Sequence, residues 1–272
     1  MYEILSALLS DKKGGTVFTC FGIWHIAYIA IILGATAAAL VLLRRAGPQA
    51  RERAIRAAIT LAFGLYIADF FLMPFAYGEI DLEKLPFHAC TATCVLCFIT
   101  RHSQRAERLR VPAALIGLIS NLVYVIYPAG IEWHAVHPLS YRALETLLFH
   151  GVMVAYGALV LAFEVERLRW RDCRREIALI VALTLWALLG NTLYNADVGD
   201  YSHFFNWLFV VRDPFYLLPK DIAPFVMPPV VVILFTLADL GVYSVYFGIK
   251  SLGKERIRCQ EKDSGPTLSD RQ

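Results

Sequence analysis

The segment Leu85-Pro86-Phe87-His88-Ala89-Cys90-Thr91-Ala92-Thr93-Cys94-Val95-Leu96-Cys97-Phe98-Ile99-Thr100 decides how this chain is laid out. It is apolar yet carries an imidazole and three thiols, and its unbroken part, Phe87–Thr100, is 14 residues long. A hydrocarbon core of ~30 Å asks for about 20 helical residues, so this run is nearer the length of a re-entrant or buried helix than of a full span. Pro86 suits the first position of a helix, where its missing N–H costs nothing. His88 and Cys90 then fall in the first turn and a half, where the positive end of the helix dipole favours a thiolate.

Six further apolar runs flank it: Phe21–Leu43, Ala57–Tyr77, Val111–Tyr127, Leu144–Phe163, Ile177–Tyr194 and Ala223–Ile249. With 58% hydrophobic and 18% charged residues over 272 positions, the chain is too apolar for an ordinary soluble domain. Charge placement bears on whether the short run crosses. With seven spans, Arg44–Arg56, Arg101–Arg110, Glu164–Glu176 and Lys250–Gln272 share one side and hold 20 of the 26 Lys and Arg. Without the short span, all five arginines of the first loop fall on the other side. The positive-inside rule therefore predicts an all-α, polytopic membrane protein: a bundle of seven transmembrane helices, N-terminus outside and C-terminus cytoplasmic. Residues 1–249 form a single transmembrane domain with spans at about 21–43, 57–77, 87–100, 111–127, 144–163, 177–194 and 223–249, and 250–272 form a charged cytoplasmic tail. No cleavable signal peptide is apparent, and the first span is expected to serve as the uncleaved insertion signal. The expected location is a cell membrane, that of the bacterial cytoplasm. Met1–Gly15 has an apolar face (Ile4, Leu5, Leu8, Leu9) suited to lying along the outer surface, and the aromatic loop Ala196–Ile222 is expected to fold back as a lid or interfacial helix. There is no internal repeat, against common transporter designs.

This topology places the polar residues of the spans at one depth. His25, Asp69, His88, Cys90, Asn121, His150 and Asn191 all lie within roughly 12 Å of the outer boundary at 1.5 Å per residue. An ionisable group inside a membrane helix costs about 2.5 to 3.5 kcal/mol, so each is expected to face the bundle and find a partner. Together they suggest a shared cavity opening outward. Asp239, deep in the inner half, does not join and reads as a structural tether. Thr184, Ala187, Asn191 and Asn195 make a small-and-polar stripe, and His150, Val154, Gly157 and Ala158 share a face on which another helix can approach closely. His88 and Cys90 point to different sides, so His150 or His25 is the better base for Cys90. Cys94 and Cys97 lack a second pair or a histidine on their face, so no metal and no cofactor is expected.

Phe21-Gly22-Ile23-Trp24-His25, Leu85-Pro86-Phe87-His88-Ala89-Cys90, Leu148-Phe149-His150-Gly151 and Asn206-Trp207-Leu208 followed by Asp213-Pro214-Phe215-Tyr216 occur in that order. In this combination the chain resembles the YwaF-like family of membrane proteins, which includes the animal transmembrane ether-phospholipid acyltransferase. The resemblance implies a seven-helix bundle and, from the animal member, CoA-independent transfer of an acyl chain between phospholipids through the cysteine matching Cys90. The expected function is thus a phospholipid acyltransferase or lipid-remodelling enzyme with a cysteine nucleophile. Cys90, His150, His25 and His88 are its candidate catalytic residues, and Asp69, Asn121, Asn191 and Asn206 its candidate substrate contacts. The expected partners are a phospholipid or lysophospholipid and the membrane itself, not nucleic acid. The alternative is a lipid- or small-molecule-binding membrane protein or transporter, in which Cys90 only packs. A retinal protein is disfavoured because Ala223–Ile249 contains no lysine.

Overall fold

The computed structural model of the chain is all-α. It describes residues 4, 9–11, 15–77, 82–128, 130–131, 134–164, 170–201, 204–214 and 217–263. Among these are seven α-helices and no strand: α1 (Ile23–Arg44), α2 (Pro48–Tyr77), α3 (Ala89–His102), α4 (Arg110–Ile126), α5 (Tyr141–Glu164), α6 (Trp170–Asn195) and α7 (Ala223–Asp263). Six of them, all but α3, are long and apolar enough to cross a membrane. The N-terminal face is only partly within the described residues, since Leu5 and Leu8 fall outside them, as do Phe215 and Tyr216 of the aromatic loop and 264–272 of the tail.

Several helices outrun their apolar stretches, because hydrophobicity marks the part that is hidden from water, not the part that is helical. Pro48 opens α2 nine residues ahead of its apolar run, in the position proline tolerates. The added turns are polar but bonded. Arg51 donates to the carbonyls of Leu43 at 2.9 Å and Arg44 at 2.7 Å, covering acceptors that the end of α1 leaves open. Arg56 pairs with Glu52 one turn earlier at 3.1 Å.

The core sits around α5, which packs against α1, α2 and α4, while α3 lies between α2 and α4, and α6 and α7 pair with each other and with α4. Ile59, Cys94, Cys97, Ala113, Met153, Tyr156 and Val160 meet in the main apolar cluster. Its tightest crossing is at Gly157, where an added Cβ would lie 2.6 Å from the Leu118 Cβ and 3.1 Å from the Ala114 carbonyl oxygen. Backbone cannot yield as a flexible side chain can. Gly157→Leu is therefore expected to destabilise the bundle by roughly 1–3 kcal/mol or more, read as a lower unfolding temperature and a poorer monodisperse yield in detergent.

Helix α3 is short but anchored at its far end. Arg101 is fully buried and bonds Glu164 of α5 at 2.6 Å and Glu52 of α2 at 3.0 Å. That places a cation at the negative end of the α3 dipole and ties three helices there. Thr93 and Thr100 turn their hydroxyls to the Ala89 and Cys97 carbonyls of the same helix. With both hydroxyls so occupied, this 14-residue helix is buried without stranding them.

After α6 the chain folds back over the start of α3. Asn191 clamps Trp207 by both backbone groups at 3.0 Å, and Asn195 does the same for Phe205 at 2.7 and 2.9 Å. Trp207, buried, stacks on Phe205 and packs on Phe87, and its indole N–H reaches the Glu83 carbonyl at 3.3 Å. The next two residues, Leu208 and Phe209, hold φ of 58° and 55°, a left-handed conformation costing about 1–2 kcal/mol per non-glycine residue. The clamps hold the loop down against that cost.

Candidate thiol and imidazole site

The site begins where α3 begins. His88 is the N-cap, extended at φ −74° and ψ 149°, and offers no side-chain cap to the first turn. The first backbone bond into the helix is Ala92 N–H to the His88 carbonyl at 2.9 Å, so the amides of Ala89, Cys90 and Thr91 have no helical acceptor. Cys90, partly exposed as the second helical residue, has its sulfur within reach of the amides of Cys90 and Thr91. The Leu82–Lys84 turn just ahead delivers a cation. Lys84 Nζ lies 2.8 Å from Asp69 Oδ2 on α2 and 3.7 Å from Glu145 Oε2 on α5, and the Lys84 carbonyl accepts the Tyr66 hydroxyl at 3.0 Å.

Opposite, His150 of α5 is buried and its Nδ1 lies 2.7 Å from Asn121 Oδ1 on α4. The Asn121 amide nitrogen is already donating to the Gly117 carbonyl at 2.6 Å, so its oxygen faces the ring. An amide oxygen only accepts, and this fixes the proton on Nδ1. The lone pair of Nε2 is left facing away, with no partner among the described residues. Tyr124, one turn after Asn121, stacks on the imidazole with centroids 3.9 Å apart and planes 12° apart. The same tyrosine is within electrostatic reach of Cys90 and Glu145, and Lys84 is within reach of both Cys90 and His150. Cys90 and His150 thus share two neighbours.

Of the residues singled out in the sequence, Cys90, His150, His88, Asp69 and Asn121 come together here. His88 is within electrostatic reach of His150 and is touched from the other side by the Leu208 amide at 3.4 Å. His25 stands apart: its Nδ1 accepts the Phe21 amide at 2.9 Å and its Nε2 donates to the Val125 carbonyl at 2.9 Å, so both nitrogens are engaged in tying the start of α1 to the end of α4. Asn191 and Asn206 also belong elsewhere. Asn191 reads the Trp207 backbone, and Asn206 accepts from Val211 and Arg212 and donates to the Arg212 carbonyl, closing the loop on itself. Asp69, a candidate substrate contact, faces a lysine. Among the described residues no cluster of three or more metal-ligating side chains occurs.

Lys84, Glu145, Tyr124 and Tyr66 were not marked by the sequence reading. Two signals were present: a carboxylate, Glu145, inside an apolar run, and a tyrosine at i+3 from Asn121. Lys84 carries no such signal, because it lies in a connection outside the apolar runs. Its removal strands two buried carboxylates, so Lys84→Met should cost roughly 3–5 kcal/mol, the range for breaking a buried pair, read in thermal unfolding. Adding Asp69→Asn to Lys84→Met should recover part of that loss.

The helices and this cluster define a class: a multi-pass α-helical membrane protein that gathers a thiol, an imidazole and a lysine–carboxylate pair between its short third helix and helices α2, α4 and α5. The chain belongs to the TMEM164 family, whose model matches residues 20–246. Comparison with curated proteins and with solved structures gives no match.

Proposed function

We propose that the protein is a membrane-embedded acyltransferase acting on phospholipids, with Cys90 as nucleophile and His150 as its base. Residues 1–249 form one transmembrane domain of seven crossings, α3 included, with the N-terminus outside and 250–272 as a cytoplasmic tail of the cell membrane protein. The arginine-rich connections on one side support this sidedness. It sets the cluster at the depth of lipid ester linkages, just below the outer headgroups.

In the first half-reaction His150 Nε2 takes the Cys90 proton and the sulfur attacks the ester carbonyl carbon of a donor phospholipid. The carbonyl oxygen, as it gains charge, meets the first-turn amides of α3, which have no helical acceptor. Collapse breaks the C–O bond, and the departing lysolipid oxygen takes the proton from His150. In the second half, the hydroxyl of an acceptor lysolipid gives its proton to His150 and attacks the thioester, and the C–S bond breaks with return of the proton to sulfur. Glu145, Asp69 and Lys84 hold the segment before α3 in place. Partial exposure of Cys90 and Tyr124 gives the ester a way in.

The observation that carries the reading is the Asn121–His150 hydrogen bond, which leaves the Nε2 lone pair open on an imidazole stacked against Tyr124, itself within electrostatic reach of Cys90. The test is transfer of a labelled acyl chain from phospholipid to lysophospholipid in proteoliposomes, with capture of the Cys90 thioester by mass spectrometry. Unchanged transfer by a Cys90→Ala protein would leave the cluster a binding site and end the enzyme reading.

A further inference from the structure

A second group of ionisable side chains lies away from Cys90, between α6 and α7. Glu176, in the second turn of α6, and Asp239, midway along α7, are both fully buried. Glu176 stands 15 residues before Asn191, about 22 Å along α6 from the end that holds the loop clamp. Tyr243, one turn after Asp239 on the same face, donates its hydroxyl to Glu176 Oε1 at 2.7 Å. The remaining carboxyl oxygens, Glu176 Oε2 and both oxygens of Asp239, are sealed from the surface and have no hydrogen-bond partner among the described residues. The two acids are within electrostatic reach of each other.

Among the described residues, what surrounds them supplies no counter-charge. From α6 come Cys173, buried, and Asp172, which is held by Arg175 at 2.7 Å toward the exposed rim. From α7 comes Tyr243, and Leu115 of α4 and Leu161 of α5 close the cluster with apolar surface. Among the described residues no lysine or arginine pairs with either acid. Two bare carboxylates in such a place carry an uncompensated desolvation cost of several kcal/mol each. Something positive must occupy the gap.

We propose that Glu176 and Asp239 form a cation-binding site inside the bundle, separate from the thiol site, and that its occupant is the proton. The pair rests as carboxylic acids, each proton taken from water: protonating Glu176 Oε2 and one Asp239 oxygen removes both charges and turns two of the three orphan oxygens into donors. A metal ion fits the surroundings less well. Sodium or calcium calls for about six oxygen ligands, whereas three free carboxyl oxygens meet leucine on two sides. Loss of the protons would put like charge between α6 and α7 at the point where those helices meet α4, so the site makes the packing of this helix pair proton-dependent.

Infrared spectra of the full-length protein in lipid nanodiscs at neutral pH test this. The difference between the natural protein and Asp239→Asn/Glu176→Gln should contain a protonated-carboxyl C=O band that shifts in heavy water, and each single variant should lose part of it. Added sodium or calcium should leave the band in place. No such band in the difference spectrum overturns the proposal, and so does a band that vanishes on adding either metal ion. Both substitutions keep size and hydrogen bonding. Should the double variant fail to stay monodisperse, the two single variants supply the difference. Because the readout is spectroscopic, it is independent of whether acyl transfer occurs.

Discussion

Cys90→Ala is expected to lower acyl transfer between phospholipids by at least about a thousandfold, because removal of a covalent nucleophile leaves only binding and electrostatic contributions. The fold should tolerate the change. The sulfur's hydrogen-bond contacts are the amides of Cys90 and Thr91 in its own turn, and alanine suits a helix's second position. Cys90→Ser is the sharper variant, since it keeps the shape and presents an oxygen that the imidazole must activate from a far weaker acid. It should form no detectable thioester and show transfer near that of Cys90→Ala. Cys94→Ala and Cys97→Ala provide the contrast: both thiols are fully buried in the apolar core. Their loss should lower the unfolding temperature and leave the transfer rate per folded protein within a few-fold. Equal losses from all three cysteines would point to packing in place of nucleophilic attack.

The next largest effect is expected along the Asn121–His150 line. His150→Ala removes the base and should cost about 10²–10⁴-fold in kcat, the range for general acid–base groups. Asn121→Leu touches no reacting atom, yet it should lower kcat by about 100-fold. Leucine leaves the Nδ1–H of His150 unpaired and lets the proton move to Nε2, so the lone pair turns from the thiol side. Asn121→Asp restores an acceptor opposite Nδ1 and should recover most of the rate, whereas a role in packing alone would make the charged variant the worse of the two. The KM for lysolipid should hardly move in either case. A third readout is the nitrogen NMR shift of the imidazole in labelled protein, which should report Nδ1–H in the natural chain and a mixture in Asn121→Leu.

The residues themselves explain which parts of this arrangement could be read in advance. His150 and Asn121 could be placed at the same depth, because rise per residue converts position in a span into height. Depth does not give direction. Asn191 sits at a comparable height and carries the same amide, but α6 turns it to the Trp207 backbone while α4 turns Asn121 to an imidazole. His25 shares the layer too, yet the Phe21 amide and the Val125 carbonyl take both its nitrogens. Lys84 was legible only as a loop charge, since its partners Asp69 and Glu145 belong to helices distant along the chain.

From its amino acids alone the chain determined that it is helical and multi-pass, roughly where its long helices run, and that α3 would be short. These follow from local quantities, the length of apolar runs and the sum of transfer free energies over about 20 residues. Pro86, expected at the first helical position, instead lies in the turn two residues ahead of the N-cap His88, because the chain first bends through Leu85–Phe87. Tertiary structure decided which polar groups meet: the tautomer of His150, the lysine between two carboxylates, the return of the aromatic loop onto Phe87, and the unpaired acids between α6 and α7. Each of these depends on the rotation of one helix against another. That rotation is set by close approaches such as Gly157 on Leu118 and by bonds between residues far apart in the chain, which no run of neighbouring residues encodes.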